Sequence, residues 1–583
     1  MTPPSERTPS GMPPWVMFPS PVPSLLQDLP VVLAGFAIFY GVLTFARYGI
    51  GPVSTQAEIL LSPHLLPKYA SFSLIRIMIA YLLSLAFAVV YGYVAAYNAR
   101  AERLMIPLLD TLQSIPVLSF LPAVMVAMIS LFPGRQLGVE LGSIALILTG
   151  QVWNMTFSFY SSLKTIPQEM RESAAIYRWG RWQRLADMEM PFAAIGLVWN
   201  SIMSVAGAWF FLMACEMFVL GNRDLRLPGL GSYLQTAANA GDSRAIGWGV
   251  VVMVTVIVVV DQVVWRPIIV WAEKFKFEQI EGAEAPRSLA LDLMRRSRVL
   301  SVIRRAAWRP AGEALSLHFA RTAASRHQGP LAATLRKWTL RALVAGAIAG
   351  SGYAVVRMSI LLAALSRSEM KEIAWGAGAT FLRVEATLAL AGLWTIPVGM
   401  WVGLRPKLAA VAQPIAQIAA SVPATALFPI VLLVLIRLGQ GIGIGAMVLL
   451  LLGTQWYILF NVIAGASAIP SDLKEVCGVF RLTSAERWRT LFLPGIFPYL
   501  VTGFVTASGG AWNASIVAEY FHFRGQTFST TGLGALISQA TDTGNFRLLL
   551  GATICMAAMV VTMNRLVWRR LYGLASTRFR LES

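Results

Sequence analysis

The chain has 583 residues, of which 56% are hydrophobic and only 13% charged. Water-soluble domains of that size carry far more charge, so the composition predicts a polytopic membrane protein. The formal net charge of +19 does not indicate a nucleic-acid partner, because Lys and Arg collect in the cytoplasmic loops of membrane proteins.

Residues 1–29 are rich in Pro and Ser and lack the basic stretch and short apolar core of a cleavable signal. They are expected to form a disordered cytoplasmic tail. A spanning helix needs about 20 mostly apolar residues. Such runs fall near 30–48, 76–97, 117–133, 140–161, 191–219 and 246–270, then near 339–359, 380–403, 423–437, 441–465, 494–520 and 547–571. The predicted fold is therefore all-α and polytopic, with one six-helix unit over 30–272 and a second over 339–583. Residues 273–338 form a basic cytoplasmic linker between them. Its densest part, 295–309, reads either as an amphipathic helix on anionic lipid or as a plain charged connection, and the plain reading is preferred. Lys/Arg bias places both termini in the cytoplasm.

The two units are an internal repeat. Arg76, Gly92, Pro107, Pro116 and Pro122 recur 307 residues later as Arg383, Gly399, Pro414, Pro423 and Pro429. Further on the offset is 303, pairing Glu172 with Glu475, Pro191 with Pro494, Trp209 with Trp512 and Glu216 with Glu519. It also pairs Gly229-Leu230-Gly231 with Gly532-Leu533-Gly534. An even number of spans per unit puts both copies in one orientation, facing each other across an axis near the membrane normal.

Two polar stretches interrupt the apolar pattern, 165–194 and 468–497. Pro167 and Pro470 suit a first helical turn, and Glu169 and Asp472 favour the positive end of the helix dipole. Met170, Ala174 and Tyr177 share one face, as do Leu473, Cys477 and Phe480. Each stretch is read as a short cytoplasmic helix whose apolar stripe either enters a groove on a partner or packs beneath the protein's own helices. Its recurrence in both units favours docking.

These stretches resemble the coupling signature of ABC-importer permeases. In that signature Glu-Ala-Ala is followed by Gly six residues after the Glu, and by a hydrophobic residue, any residue, Leu and Pro, with the Pro nineteen after the Glu. Glu172-Ser173-Ala174 leads to Met188-Glu189-Met190-Pro191, and Glu475-Val476-Cys477 to Leu491-Phe492-Leu493-Pro494. Arg178 and Arg481 stand where the family has Gly. Their presence predicts a turn that needs no positive φ, or one moved to Gly180 in the first copy. Gly207-Ala208-Trp209, Gly510-Ala511-Trp512 and the two Gly-Leu-Gly motifs are similar to the nitrate, sulfonate, taurine and bicarbonate importers.

The resemblance implies the type I ABC importer permease fold in a bacterial inner membrane, two permease units in one chain, and a small anionic cargo. It also implies two separate ABC ATPase subunits carrying ATP and Mg, and an external solute-binding protein. The coupling residues would be Glu172, Ala174, Arg178, Pro191, Glu475, Cys477, Arg481 and Pro494. No Gly-rich phosphate loop ending in Gly-Lys-Ser/Thr is found in the chain, and no catalytic or metal-binding constellation is expected.

Pathway or gating candidates are Pro116, Pro122, Pro423, Pro429, Trp209, Trp512, Glu216 and Glu519. The prolines predict interruptions of the third spans, either gating or simple packing kinks. The tryptophans are expected to pack rather than stack on cargo. A carboxylate in an apolar span is costly unless paired or wet. Because it would repel an anion, an ion pair is the preferred reading for Glu216 and Glu519. Arg76 and Arg383 are expected to snorkel to the interface rather than pair with them. The alternative function is a secondary transporter of six plus six helices, which would place its coupling charges within the membrane.

Overall fold

In hydrocarbon a backbone must satisfy its own polar groups, and apolar runs accordingly close into helices. The computed structural model describes residues 24–51, 58–220, 223–275, 330–437, 442–523 and 526–578, with short pieces between 291 and 314. Among the described residues eight helices are long and apolar enough to cross a membrane, or nine if one bent pair counts as a span.

Helices lie at all six expected segments of each unit, in order. Gln136–Thr165, Pro330–Ala363 and Ala424–Arg437, where three of the twelve spans are expected, are not among those eight or nine. Three further departures concern where helices begin and break. The first helix begins at Ser24, inside the expected tail, whose residues 1–23 lie outside the described residues. The opening helix of the second unit, Pro330–Ala363, starts inside the expected linker, and only Ala349–Ala363 is strongly apolar. Most of the linker lies outside the described residues. Within its described part, Arg298–Ile303 is helical and Ser297 Oγ donates to Asp28 at 2.6 Å, beside the first helix.

The third segments depart most. Ala99–Gln113 and Val117–Leu131 meet at 86°. Pro116 lies between them, and Pro122 sits in the first turn of Leu121–Leu131. In the second unit Pro423 separates Pro406–Ser421 from Ala424–Arg437. Pro116 and Pro423 thus end one helix and start another instead of kinking a continuous span. Of these four prolines, Pro429 alone lies within the body of a helix.

Helix crossings explain two of the repeated glycines. A Cβ on Gly92 would lie 2.9 Å from Phe159 Cδ1, and one on Gly399 would lie 2.8 Å from Val462 Cγ1. The broken third segments join the units. Ala424, Phe428 and Leu432 belong to the core of the first unit. Val117, Leu118 and Met125 belong to that of the second. Thr553 donates to the Ser119 carbonyl at 3.2 Å, and the Leu118 N–H donates to Asn513 Oδ1 at 3.4 Å. Each unit therefore completes the other's apolar core, with Pro116 and Pro423 at the crossing points.

Candidate functional site

The two polar stretches form matched helices, Gln168–Ile176 and Ser471–Val479. Pro167 and Pro470 are the residues just before the first turn, where an absent N–H removes no helical bond. Glu172 and Glu475 are exposed. Ala174 and Cys477 are buried against the protein itself, and Met170 packs on the same cluster as Ala174.

The expected single stripe is divided. Tyr177 and Phe480 lie one residue past the helices, where the chain turns away, and are 73% and 72% exposed. Ile176 and Val479 beside them are 77% and 80% exposed. Each segment thus anchors on its own unit through its middle and leaves a bare apolar tip.

Both turns keep the conformation that the glycine would have supplied. Arg178 has φ 53° and Arg481 φ 51°, which overturns the expectation that Arg implies a different turn. The Arg178 N–H donates to the Ala175 carbonyl and the Trp179 N–H to that of Ala174, both at 3.0 Å. Arg481 and Leu482 do the same to Gly478 and Cys477 at 3.1 Å. These are paired Schellman bonds around a left-handed residue. The bonds retain a conformation that costs an L residue about 1 kcal/mol. Gly180 is extended and caps the next short helix, as Thr483 does in the second unit.

That short helix runs without a break into the fifth span. The continuous helices are Arg181–Glu216, 36 residues, and Ser484–Ala518, 35 residues. Pro191 and Pro494 follow π-turns over Leu185–Glu189 and Trp488–Phe492. A proline ring normally collides with the carbonyl four residues back. The wider turn accommodates it, and the Met190 and Leu493 N–H groups bond to Leu185 and Trp488 instead. At about 1.5 Å per residue each helix is a rod of roughly 54 Å from polar segment to opposite end.

At that far end the carboxylates of Glu216 and Glu519 are paired. Arg76 is fully buried and does not snorkel. Its Nε and Nη2 donate to the two oxygens of Glu140, and its Nη1 to Glu216 Oε1, all at 2.7 Å. Nη1 also donates to the Pro228 carbonyl at 2.9 Å. Glu216 accepts further bonds from Ser73 Oγ and the Gly231 N–H, both at 2.7 Å. It thereby caps the positive end of helix Leu230–Ala240. Gly229 leaves room for this carboxylate, since a Cβ there would strike Glu216.

The second unit repeats the plan with one charge fewer. Arg383 pairs with Glu519, which also accepts from Thr380 Oγ1 at 2.8 Å and the Gly534 N–H at 2.8 Å. Gly443 stands at the repeat position of Glu140. Arg383 turns instead to Thr530 Oγ1 at 3.3 Å and the Thr531 carbonyl at 3.1 Å. Its side chain is 11% exposed, whereas that of Arg76 is at 0%. These charges form structural clusters. Trp209 and Trp512 are buried packing residues.

Sequence reasoning missed Glu140. A lone carboxylate at the head of an apolar run was the available signal, but its repeat partner is Gly443, so comparison of the units hid it. It also missed Ser73 and Thr380, since hydroxyls in spans are common and only tertiary structure brings them to the carboxylates.

A family model for the binding-protein-dependent transport system inner membrane component matches residues 88–264 and 395–580. The bicarbonate transport system permease protein CmpB of Synechococcus elongatus is 28% identical over 197 residues, 34% of this chain and 68% of that protein. The nitrate import permease protein NrtB of Leptolyngbya laminosa is 27% identical over 33% of this chain and 66% of its own length. The taurine transport system permease protein TauC of Escherichia coli is 26% identical over 28% and 56%.

Proposed function

The chain belongs to the family of binding-protein-dependent transport system inner membrane components, with two units of it fused in one polypeptide, and on that premise we propose that it forms both halves of an ATP-driven import pathway. Two separate ATPase subunits dock at the exposed tips Ile176-Tyr177 and Val479-Phe480, and an external binding protein delivers the solute. The cargo is a small anion such as nitrate or bicarbonate, or a sulfonate such as taurine; the relatives are named for bicarbonate, nitrate and taurine. The membrane is the bacterial inner membrane, with both termini in the cytoplasm.

The observation that carries this reading is the mechanical continuity of each unit. A bare apolar tip is joined through a hydrogen-bonded left-handed turn to one unbroken rod. The rod ends at a charged cluster that caps the following helix. ATP-driven approach of the two ATPase subunits would move both tips together. The rods, whose far ends reach each other's cores through Cys215 and through Ala514 and Ala518, would then pass that motion to the outer ends, rocking the pathway between its two openings. Bound ATP and Mg belong to the partner subunits.

Copurification tests this. Intact chain should retain ATPase subunits. Tyr177→Asp with Phe480→Asp should lose them and lose uptake, with folded protein still recovered from the membrane. Normal uptake by that double variant would defeat the docking assignment.

A further inference from the structure

We propose that a cavity beside the first coupling segment binds the phosphate-bearing headgroup of an anionic lipid. The cavity has a volume of about 700 Å³ and lies where helix Leu66–Tyr97 gives way to Ala99–Ser114. Arg100, Arg181 and Arg184 line it with Tyr93, Val94 and Tyr97. None of the three arginines forms an ion pair among the described residues. Arg184 Nε is buried without a hydrogen-bond partner. The nearby carboxylate, Glu189, accepts from the Tyr97 hydroxyl at 2.7 Å and does not line the cavity. Arg184 also lies 5.8 Å from the Tyr97 ring centre. The orphaned Arg184 donor, with the exposed guanidinium groups of Arg100 and Arg181 beside it and Tyr93 and Tyr97 alongside, suits a phosphate.

The shape of the approach selects lipid. Leu83, Phe87, Val90, Val94 and Tyr97 are all exposed and lie on one face of helix Leu66–Tyr97. This stripe would meet acyl chains, and it runs directly into the mouth of the cavity. Apolar surface below and clustered cationic groups at the membrane edge form the two parts of a lipid site. The second unit keeps two of the cations, Lys407 and Arg487 at the repeat positions of Arg100 and Arg184, but Arg487 Nε is used in a bond to the Leu482 carbonyl at 3.0 Å and the rest of the lining differs. Met400, Trp401 and Leu404 occupy the repeat positions of Tyr93, Val94 and Tyr97, and Ser484 that of Arg181. One such lipid per chain would brace the start of the rod that leaves the coupling segment.

The inference rests on the proposed orientation only in assigning the lipid to the cytoplasmic leaflet. Intact chain in neutral detergent would be titrated with phosphatidylglycerol, phosphatidylcholine and inorganic phosphate, with binding followed by native mass spectrometry and thermal shift. Phosphatidylglycerol should bind and stabilise, and phosphatidylcholine should not. Arg181→Gln with Arg184→Gln should weaken phosphatidylglycerol binding about tenfold, whereas Lys407→Gln with Arg487→Gln in the second unit should leave it unchanged. Should the first pair misfold, Arg100→Gln alone must still lower occupancy. Equal protection by inorganic phosphate would make this a free-anion site and overturn the lipid assignment, as would phosphatidylglycerol binding indifferent to the arginine variants. These readouts need no ATPase, so they stand or fall apart from the docking proposal.

Discussion

Replacing Arg76 should harm the protein more than replacing Arg383, although the two are repeat equivalents. Arg76 donates four bonds, three to carboxylates at 2.7 Å and one to a carbonyl at 2.9 Å, from a fully buried position. Arg76→Met leaves Glu140 and Glu216 facing each other without a counter-charge. Removing one partner of a buried charge set costs about 3–5 kcal/mol, and two stranded carboxylates place this variant near the top of that range. Arg383→Met strands only Glu519, still held by Thr380 and the Gly534 N–H, and should fall near the bottom. Unfolding of intact protein in detergent, with monodispersity checked by size exclusion, measures the difference. Glu140→Gln in the Arg76→Met background should recover about 1 kcal/mol or more, the coupling expected of groups in one network. Gly443→Glu tests the converse. Among the described residues its Cβ would meet only Thr530 Oγ1, at 3.8 Å, and the added carboxylate should restore the missing partner of Arg383 and stabilise by about 1 kcal/mol. Equal losses for Arg76→Met and Arg383→Met, or no coupling between Arg76 and Glu140, would refute the unequal-cluster argument.

Arg178→Gly and Arg481→Gly should each stabilise by about 1 kcal/mol by relieving left-handed backbone at an L residue, whereas Arg178→Val should destabilise, both read as shifts in unfolding midpoint. Gly229→Ala and Gly532→Ala push a methyl into the carboxylates of Glu216 and Glu519. They should cost about 2–3 kcal/mol or more, seen as reduced folded yield; wild-type stability would contradict the close approach. Tyr177→Asp with Phe480→Asp should abolish ATPase copurification with little change in unfolding midpoint, since both side chains are exposed.

Much of the architecture is present in the sequence because it depends on local physics. Apolar length set the spanning segments, and the 307 and 303 offsets exposed the duplication. Pro167 and Pro470 marked the starts of the matched helices Gln168–Ile176 and Ser471–Val479, which involve only residues close in sequence. Other features depend on distant neighbours. Arg76 reads as an interfacial arginine until a fold brings Glu140 and Glu216 to it from 64 and 140 residues away. Arg178 reads as the loss of a left-handed turn, but the Schellman bonds to Ala174 and Ala175 hold that turn without glycine. The division of the apolar stripe into a buried Ala174 and a bare Tyr177 depends on where the packed body ends. Hydropathy cannot show that Val117 and Phe428 cross into each other's units, because an apolar side chain gains the same free energy in any dry environment. Sequence thus determined the segments and their repetition. Tertiary structure decided which charges meet, which apolar faces are covered, and which surfaces remain for partners, because those outcomes depend on groups far apart along the chain.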